Sequence, residues 1–251
     1  MAKLVELSSH AHQTLKVVPS AVIQHISQQH VLHVSALEIA HAATCFPIFI
    51  TRNNVNGAWA FSAMTSFNVN QNLFVEDGQW QPIYQPSSLR TYPLFLMQSP
   101  QDNAQYCVGF DPESKAFSET EGKPLFVEAG QASEHLAMVS KLLETDLQNM
   151  QQSAKFAHTL ESLNLLKSID INVYYTDSQF NTIKGLHTID EDAFRVLPAD
   201  ELAKLNEAGY LMPIHAMLLS IFQLNVLINK NNALTENKMV STVKMEVSKT
   251  L

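Results

Sequence analysis

Asp77-Gly78 lies between the apolar run Leu73-Phe74-Val75 and Trp80, and this arrangement constrains the fold more than any other stretch. Both turn residues accept positive φ, so the chain must double back there into a small β-hairpin. Pro82 and Pro86 then bracket Ile83 and Tyr84. Proline lacks the ladder donor, so this piece is an edge strand or an extended loop. Arg90, Tyr92 and Pro93 lead into Leu94-Phe95-Leu96-Met97, which reads as a buried strand. The stretch thus gathers Trp80, Tyr84, Arg90 and Tyr92, the candidate ligand-binding residues. A guanidinium among aromatic rings can stack on one or grip a carboxylate with two parallel bonds. The competing reading of Arg90 is an internal staple between loop and strand.

The rest of the first half is read as mainly β. Short β patterns cover residues 4–7 and 14–18. Ser35-Ala36-Leu37-Glu38 has the form of a capping box and starts a short helix that Pro47 terminates. Ile48–Thr51 and Ala58–Thr65 read as strands joined by a turn from Asn53 to Gly57. Tyr106–Phe110 is a further strand, followed by the turn Asp111-Pro112-Glu113-Ser114. Residues 116–118 are expected to pair back, and Leu125-Phe126-Val127 to form a last short strand. The short connections make the pairing antiparallel.

The character changes near Gly130. Ser133 caps a long helical pattern in which Leu136, Leu143, Met150 and Ala157 recur every seven residues, beside Val139, Leu147, Ala154 and Leu160. The stripe fits a helix laid on a sheet or the seam of a coiled-coil dimer. Ile169, Ile171, Val173 and Tyr175 alternate in a half-buried strand that returns over 182–188. Asp190 caps a helical turn, Pro198 starts the next helix, and Gly209 stops it. From Pro213 to about Ile228 the chain is apolar almost all round, as in a buried or interface helix. Residues 230–251 form a polar tail in which Val243, Met245 and Val247 alternate, so an added strand and fraying are both open. The expected fold class is α+β, one unit over 1–229. Its mainly antiparallel sheet lies in the N-terminal half with helices packed on it, and its second half is helix-rich.

Composition narrows the function classes. With 46% hydrophobic and 16% charged residues, the chain of 251 can bury a substantial core. A net charge of −8 argues against nucleic acid, which needs a basic face. No segment is read as reaching the roughly 18 apolar residues of a membrane helix, and MAKLVELSSH lacks a signal core, so the expected location is cytoplasmic. Cys45 and Cys107 read as two buried thiols in a reducing compartment. Seven glycines leave little room for a phosphate loop, and neither G-x-S-x-G nor Cys-x-x-Cys occurs. His10, His12, His25, His30, His33 and His41 crowd the first 41 residues. Glu38 and His41 would share a helix face, the spacing of carboxylate-bridged metal helices, but a second such helix is missing. No metal site and no cofactor are therefore expected.

Several ordered pieces carry a resemblance. Asn72-Leu73-Phe74-Val75, Asp77-Gly78, Trp80, Tyr84-x-Pro86 and Leu89-Arg90-x-Tyr92-Pro93-Leu94 occur in sequence. Phe46-Pro47-Ile48-Phe49, Gly122-Lys123-Pro124-Leu125-Phe126, Gly185-Leu186 with Asp190-Glu191, and Leu205 to Leu211 with Gly209 accompany them. Over roughly residues 5–229 this set resembles the SapC-like family, bacterial proteins named after a surface-layer-associated locus. Thr91 departs from the pattern, where a second basic residue beside Arg90 is expected. The resemblance implies an accessory factor, often encoded near flavin-dependent halogenases and TonB-dependent receptors. It points to a role in peptide or nutrient modification or uptake.

The expectation is a non-catalytic binding or accessory protein with a protein or small-molecule partner. The alternatives are a metal-assisted enzyme using the N-terminal histidines with Glu38, and a homodimer built through residues 133–163 or 213–228.

Overall fold

The computed structural model describes residues 3–53, 57–102 and 105–248. In chain order the first strands are β1 (Val5–Glu6), β2 (Lys16–Val17), β3 (Val31–Val34), β4 (Ile48–Arg52) and β5 (Trp59–Met64). Next come β6 (Val75–Glu76), β7 (Gln79–Trp80), β8 (Leu94–Gln98), β9 (Tyr106–Phe110), β10 (Phe117–Ser118) and β11 (Lys123–Pro124). The last strands are β12 (Leu166–Tyr175), β13 (Phe180–Ile189) and β14 (Val240–Val247). The helices are α1 (Pro19–Ile26), α2 (Ile39–Ala42), α3 (Ser87–Thr91) and α4 (Glu134–Ser162), followed by α5 (Glu191–Arg195), α6 (Ala199–Glu207), α7 (Leu211–Ser220) and α8 (Leu224–Ala233). The fold is α+β with antiparallel sheets. Its chain divides into two compact units, each assembled from non-contiguous segments.

The first unit comprises Met1–Gln28, Val75–Gln81 and Ser87–Gln148. Two three-stranded sheets, β1-β9-β8 and β10-β2-β11, belong to it. Val17, Leu94, Phe110, Leu125, Leu136, Val139 and Leu143 form its core, with Val22 of α1 and Phe117 packed against them. Leu136, Val139 and Leu143 recur at helical spacing along α4, which explains how that helix buries one face here. The β6–β7 hairpin turns as its sequence requires, with φ of 50° at Asp77 and 71° at Gly78.

Two expectations are corrected in this unit. The segment at 116–118 does not pair back on β9; β10 pairs with β2. The last short strand is β11, two residues earlier than Leu125, and it also pairs with β2, while Phe126 makes an isolated bridge to Ala132. Strand β2 therefore serves as a common partner that only long-range closure could reveal. Ahead of β8 the chain forms the short helix α3, an element for which the sequence reading made no assignment.

The second unit comprises Gln29–Phe74, Pro82–Pro86 and Asn149–Leu251. Its six-stranded sheet runs β14-β12-β13-β4-β5-β3. The β4 residues Ile48, Phe49 and Ile50 are all buried, so both faces of the sheet are covered at that strand. Phe61 stacks on Phe156 at 5.3 Å, and Phe156 meets Tyr210 at 4.8 Å. Ser35 forms the expected capping box: its N–H and its hydroxyl both donate to Glu38 Oε2 at 2.9 Å. The central residues of the Asn53–Gly57 turn lie outside the described residues. Residues 249–251 of the expected tail do so too; from Lys230 onward the chain completes α8 and then supplies β14.

The heptad stripe of α4 holds at Leu136, Leu143, Ala157 and Leu160 but not in the middle, where Met150 is 55% exposed and Ala154 is also exposed. Phe156 and Ala157 are both buried further along. The apolar run at 213–228 is not one helix: a 3-10 turn at Ile221–Gln223 separates α7 from α8. By length and composition Leu211–Ala233 would suffice to cross a membrane, its most apolar 18-residue window having a mean hydropathy of 1.8. Here Ile214, Met217, Leu224 and Leu227 are buried, and Ser220 Oγ accepts from Ile48 N–H at 2.9 Å. Met212, Leu219 and Phe222 are exposed instead of enclosed. Cys45 and Cys107 are unpaired and half-buried rather than sealed in the core. Burial, then the charge of Glu6, pushes the Cys107 thiol above its ordinary pKa.

Asp190 gives a test of local stability. Its carboxylate accepts from the N–H groups of Asp192 at 3.1 Å and Ala193 at 3.3 Å, and pairs with Lys167 at 3.4 Å. Burial alone would raise its pKa, but these donors outweigh it and hold the carboxyl below the ordinary value. Asp190→Ala is expected to lower stability by about 1 kcal/mol at neutral pH. A depressed folded-state pKa stabilises above the unfolded value, near 3.9, and that stabilisation fades as pH falls through the folded value. Urea midpoints of the two proteins should therefore differ at neutral pH and converge in strong acid.

Candidate functional site

One face of α1 contributes to a hollow in the first unit. Ala21, Gln24 and His25 are spaced i, i+3, i+4 on α1 and so share a face, and Gln28, just past the end of the helix, lines the same hollow. Pro19 at the helix start supplies the preset φ, and Val22 and Ile26 turn toward the interior. Opposite α1 stand Tyr92 and Phe95 at the entry to β8, and Asp111, Ser114, Lys115 and Ala116 in the turn after β9. That turn is closed by Ser114 N–H donating to Asp111 C=O at 3.1 Å and is tied to the start of α1 by Val18 N–H donating to Ala116 C=O at 2.9 Å. The cavity volume is about 660 Å³, within the range of small-molecule sites.

The walls are ordered by rings. The imidazole of His25 lies flat on Tyr92, centroids 4.0 Å apart and planes 7° apart. Phe95 meets Tyr92 edge-on at 6.1 Å. The Tyr92 hydroxyl lies 3.4 Å from Ser114 Oγ. Burial lowers the pKa of His25, which favours the neutral form of the stacked imidazole. One oxygen of Asp111 accepts from Glu113 N–H at 3.0 Å, which fixes the carboxylate at the rim. Lys115 is exposed and forms no ion pair among the described residues. The hollow thus has an apolar floor of Leu4, Ala21, Phe95 and Ala116, with one carboxylate and one ammonium at its edge. Opposite charges beside apolar and aromatic walls suit a zwitterion with a hydrophobic body. Ser114 Oγ also accepts from Ala116 N–H at 3.2 Å, so its contacts are those of a turn rather than of a nucleophile.

Of the residues expected from sequence, Tyr92 lines this hollow. Trp80 sits half-buried on β7, and Arg90 is exposed on α3; neither lines it. Arg90 makes no hydrogen bond or ion pair among the described residues, so it staples nothing there. Tyr84 belongs to the second unit, where its hydroxyl donates to Glu38 Oε1 at 2.6 Å and its ring faces His41 at 5.8 Å. Glu38 is thereby engaged by its own cap and by a tyrosine. His33 and His41 are exposed, and His12 Nδ1 accepts from Ser8 N–H at 3.0 Å. Among the described residues no three His, Cys, Asp or Glu side chains gather into a metal-holding group.

Sequence reasoning missed Gln24, Gln28, Asp111, Ser114 and Lys115 as wall residues and counted His25 only as one of many histidines. The available signal was the i, i+3, i+4 spacing of 21, 24 and 25 after Pro19. It was faint because α1 has no side-chain cap bond and no acidic residue in its first turn.

A family model described as SapC matches residues 7–227. No curated protein matches the chain, and no solved structure does.

Proposed function

The chain belongs to the SapC family, and on that premise we propose that it is a non-catalytic accessory or binding protein, acting in the cytoplasm beside an enzyme of peptide or nutrient modification or uptake. The single observation that carries this reading is the first-unit hollow. It combines a ring-stacked wall, an apolar floor and a rim carrying both Asp111 and Lys115. Its ligand class would be an amino acid or short peptide with an aromatic or aliphatic side chain. The side chain would lie against Tyr92 and Phe95, the carboxylate toward Lys115 and the amine toward Asp111. Such a site binds and orients; its polar groups are arranged as recognition elements, which favours a carrier or presenting role over bond-making chemistry.

Isothermal titration with phenylalanine, leucine and Phe-containing dipeptides tests the reading. Binding is expected in the wild type. Tyr92→Ala and Lys115→Ala should each weaken it about tenfold, the loss of one stacked ring or one charge-assisted bond. Absence of heat with every amino acid and dipeptide, in a folded protein, would remove the proposal.

A further inference from the structure

Strand β14 is the outer strand of the second unit's sheet, paired on one side with β12. Its free side has a definite chemistry. Ser248 N–H donates to Ser168 C=O at 3.0 Å, and Glu246 stands opposite Asp170, Lys244 opposite Asn172. Backbone groups alternate direction along a strand, so the even residues 242–248 bond to β12. Val243, Met245 and Val247 therefore turn their N–H and C=O groups outward. The edge does not extend further back, because Asn232 occupies Val240: its Oδ1 accepts from Val240 N–H at 2.7 Å and its Nδ2 donates to Val240 C=O at 2.9 Å. The usable edge is thus a short segment centred on Met245.

The charges on that segment are incomplete as they stand. Glu246 is cross-strand from Asp170, two acids face to face, a destabilising pair. One oxygen of Asp170 is buried with no hydrogen-bond partner among the described residues. Lys244 lies over the Tyr174 ring at 5.3 Å and forms no ion pair among the described residues. The apolar face is incomplete as well, with Val247 59% exposed and the neighbouring Phe222 71% exposed.

We infer that a second copy of this chain docks on this edge, β14 against β14, antiparallel about a twofold axis through Met245. In that register Met245 meets Met245, and Val243 meets Val247 twice, all through outward backbone groups. Lys244 then stands opposite Glu246 twice, in the non-hydrogen-bonded positions where side chains are closest. Each Glu246 gains the cation that Asp170 denies it. Shifting the axis by one residue either way would set Lys244 against Lys244 or Glu246 against Glu246, so the charge pattern selects this register. A twofold interface must be self-complementary, and this segment is. The pairing also removes an exposed edge, which proteins otherwise shield. This dimer runs through the sheet and does not use the helices at 133–163 or 213–228.

Sedimentation equilibrium of the full chain over a concentration series provides the test. The wild type should show a monomer–dimer equilibrium. Lys244→Glu and Glu246→Lys should each weaken it about tenfold or more, since two attractive pairs become repulsive. Mixing the two variants should restore association as a heterodimer, and the double variant K244E/E246K should self-associate again. Both positions are exposed, so folding is expected to be retained and is checked by circular dichroism. A wild type that stays monomeric throughout, or a dimer indifferent to both single charge reversals, would overturn the inference.

Discussion

Gly122→Ala is expected to cost the protein about 3 kcal/mol or more of stability, read as a lower urea midpoint. Gly122 has φ of +110°, where side chains other than hydrogen are strained, and an added Cβ would come within 2.3 Å of the Val17 carbonyl oxygen. That oxygen belongs to β2, the shared partner of β10 and β11. Backbone cannot swing aside as a side chain can, so either the turn or the three-stranded sheet must give. Gly78 provides the contrast. It also has positive φ, yet an added Cβ meets nothing within 4 Å, so Gly78→Ala should cost only about 1 kcal/mol. A similar small effect at both glycines would show that the approach of Gly122 to β2 is not a constraint.

Phe46→Ala is expected to lower stability by about 3 to 5 kcal/mol. The ring is fully buried and meets Phe74 edge-on at 4.7 Å, with planes 76° apart. Truncation removes the apolar transfer energy, the edge-to-face contact and the filling of that space together. The second unit would open at lower urea, followed through the fluorescence of Trp59. A loss below about 1 kcal/mol would mean that neighbouring side chains collapse into the gap. Phe46-Pro47-Ile48-Phe49 is one of the pieces by which the family is recognised, and it is buried almost completely. Such a motif identifies a way of packing, which is why the resemblance located the fold more readily than a ligand.

Elements with a local chemical signature were legible in the sequence. Asp77-Gly78, the Ser35–Glu38 box, the Asp190 cap and the alternating β12 each carry their cause within a few residues. Elements decided at long range were not. β10 and β11 are two residues long and owe their existence to β2, a hundred positions earlier or so, which no local pattern announces. The apolar stretch after Pro213 gave composition but not the 3-10 break between α7 and α8. For the site, reasoning from rings and a guanidinium reached Tyr92. The other walls come from a helix near the start of the chain and from a turn that read only as a turn. Contiguity hid both the stacked His25 and the presence of Asp111 and Lys115 on the same hollow.

The recognised family region stops at residue 227, whereas β14 starts at Val240. A fragment trimmed to the recognised region would strip β12 of one neighbour. That would leave a ten-residue ribbon bearing Ile169, Ile171 and Val173 with its amides open to any passing chain. Fibre-like association of such a fragment would then reflect the cut and say nothing of the intact protein, so any recombinant version should retain residues through 248.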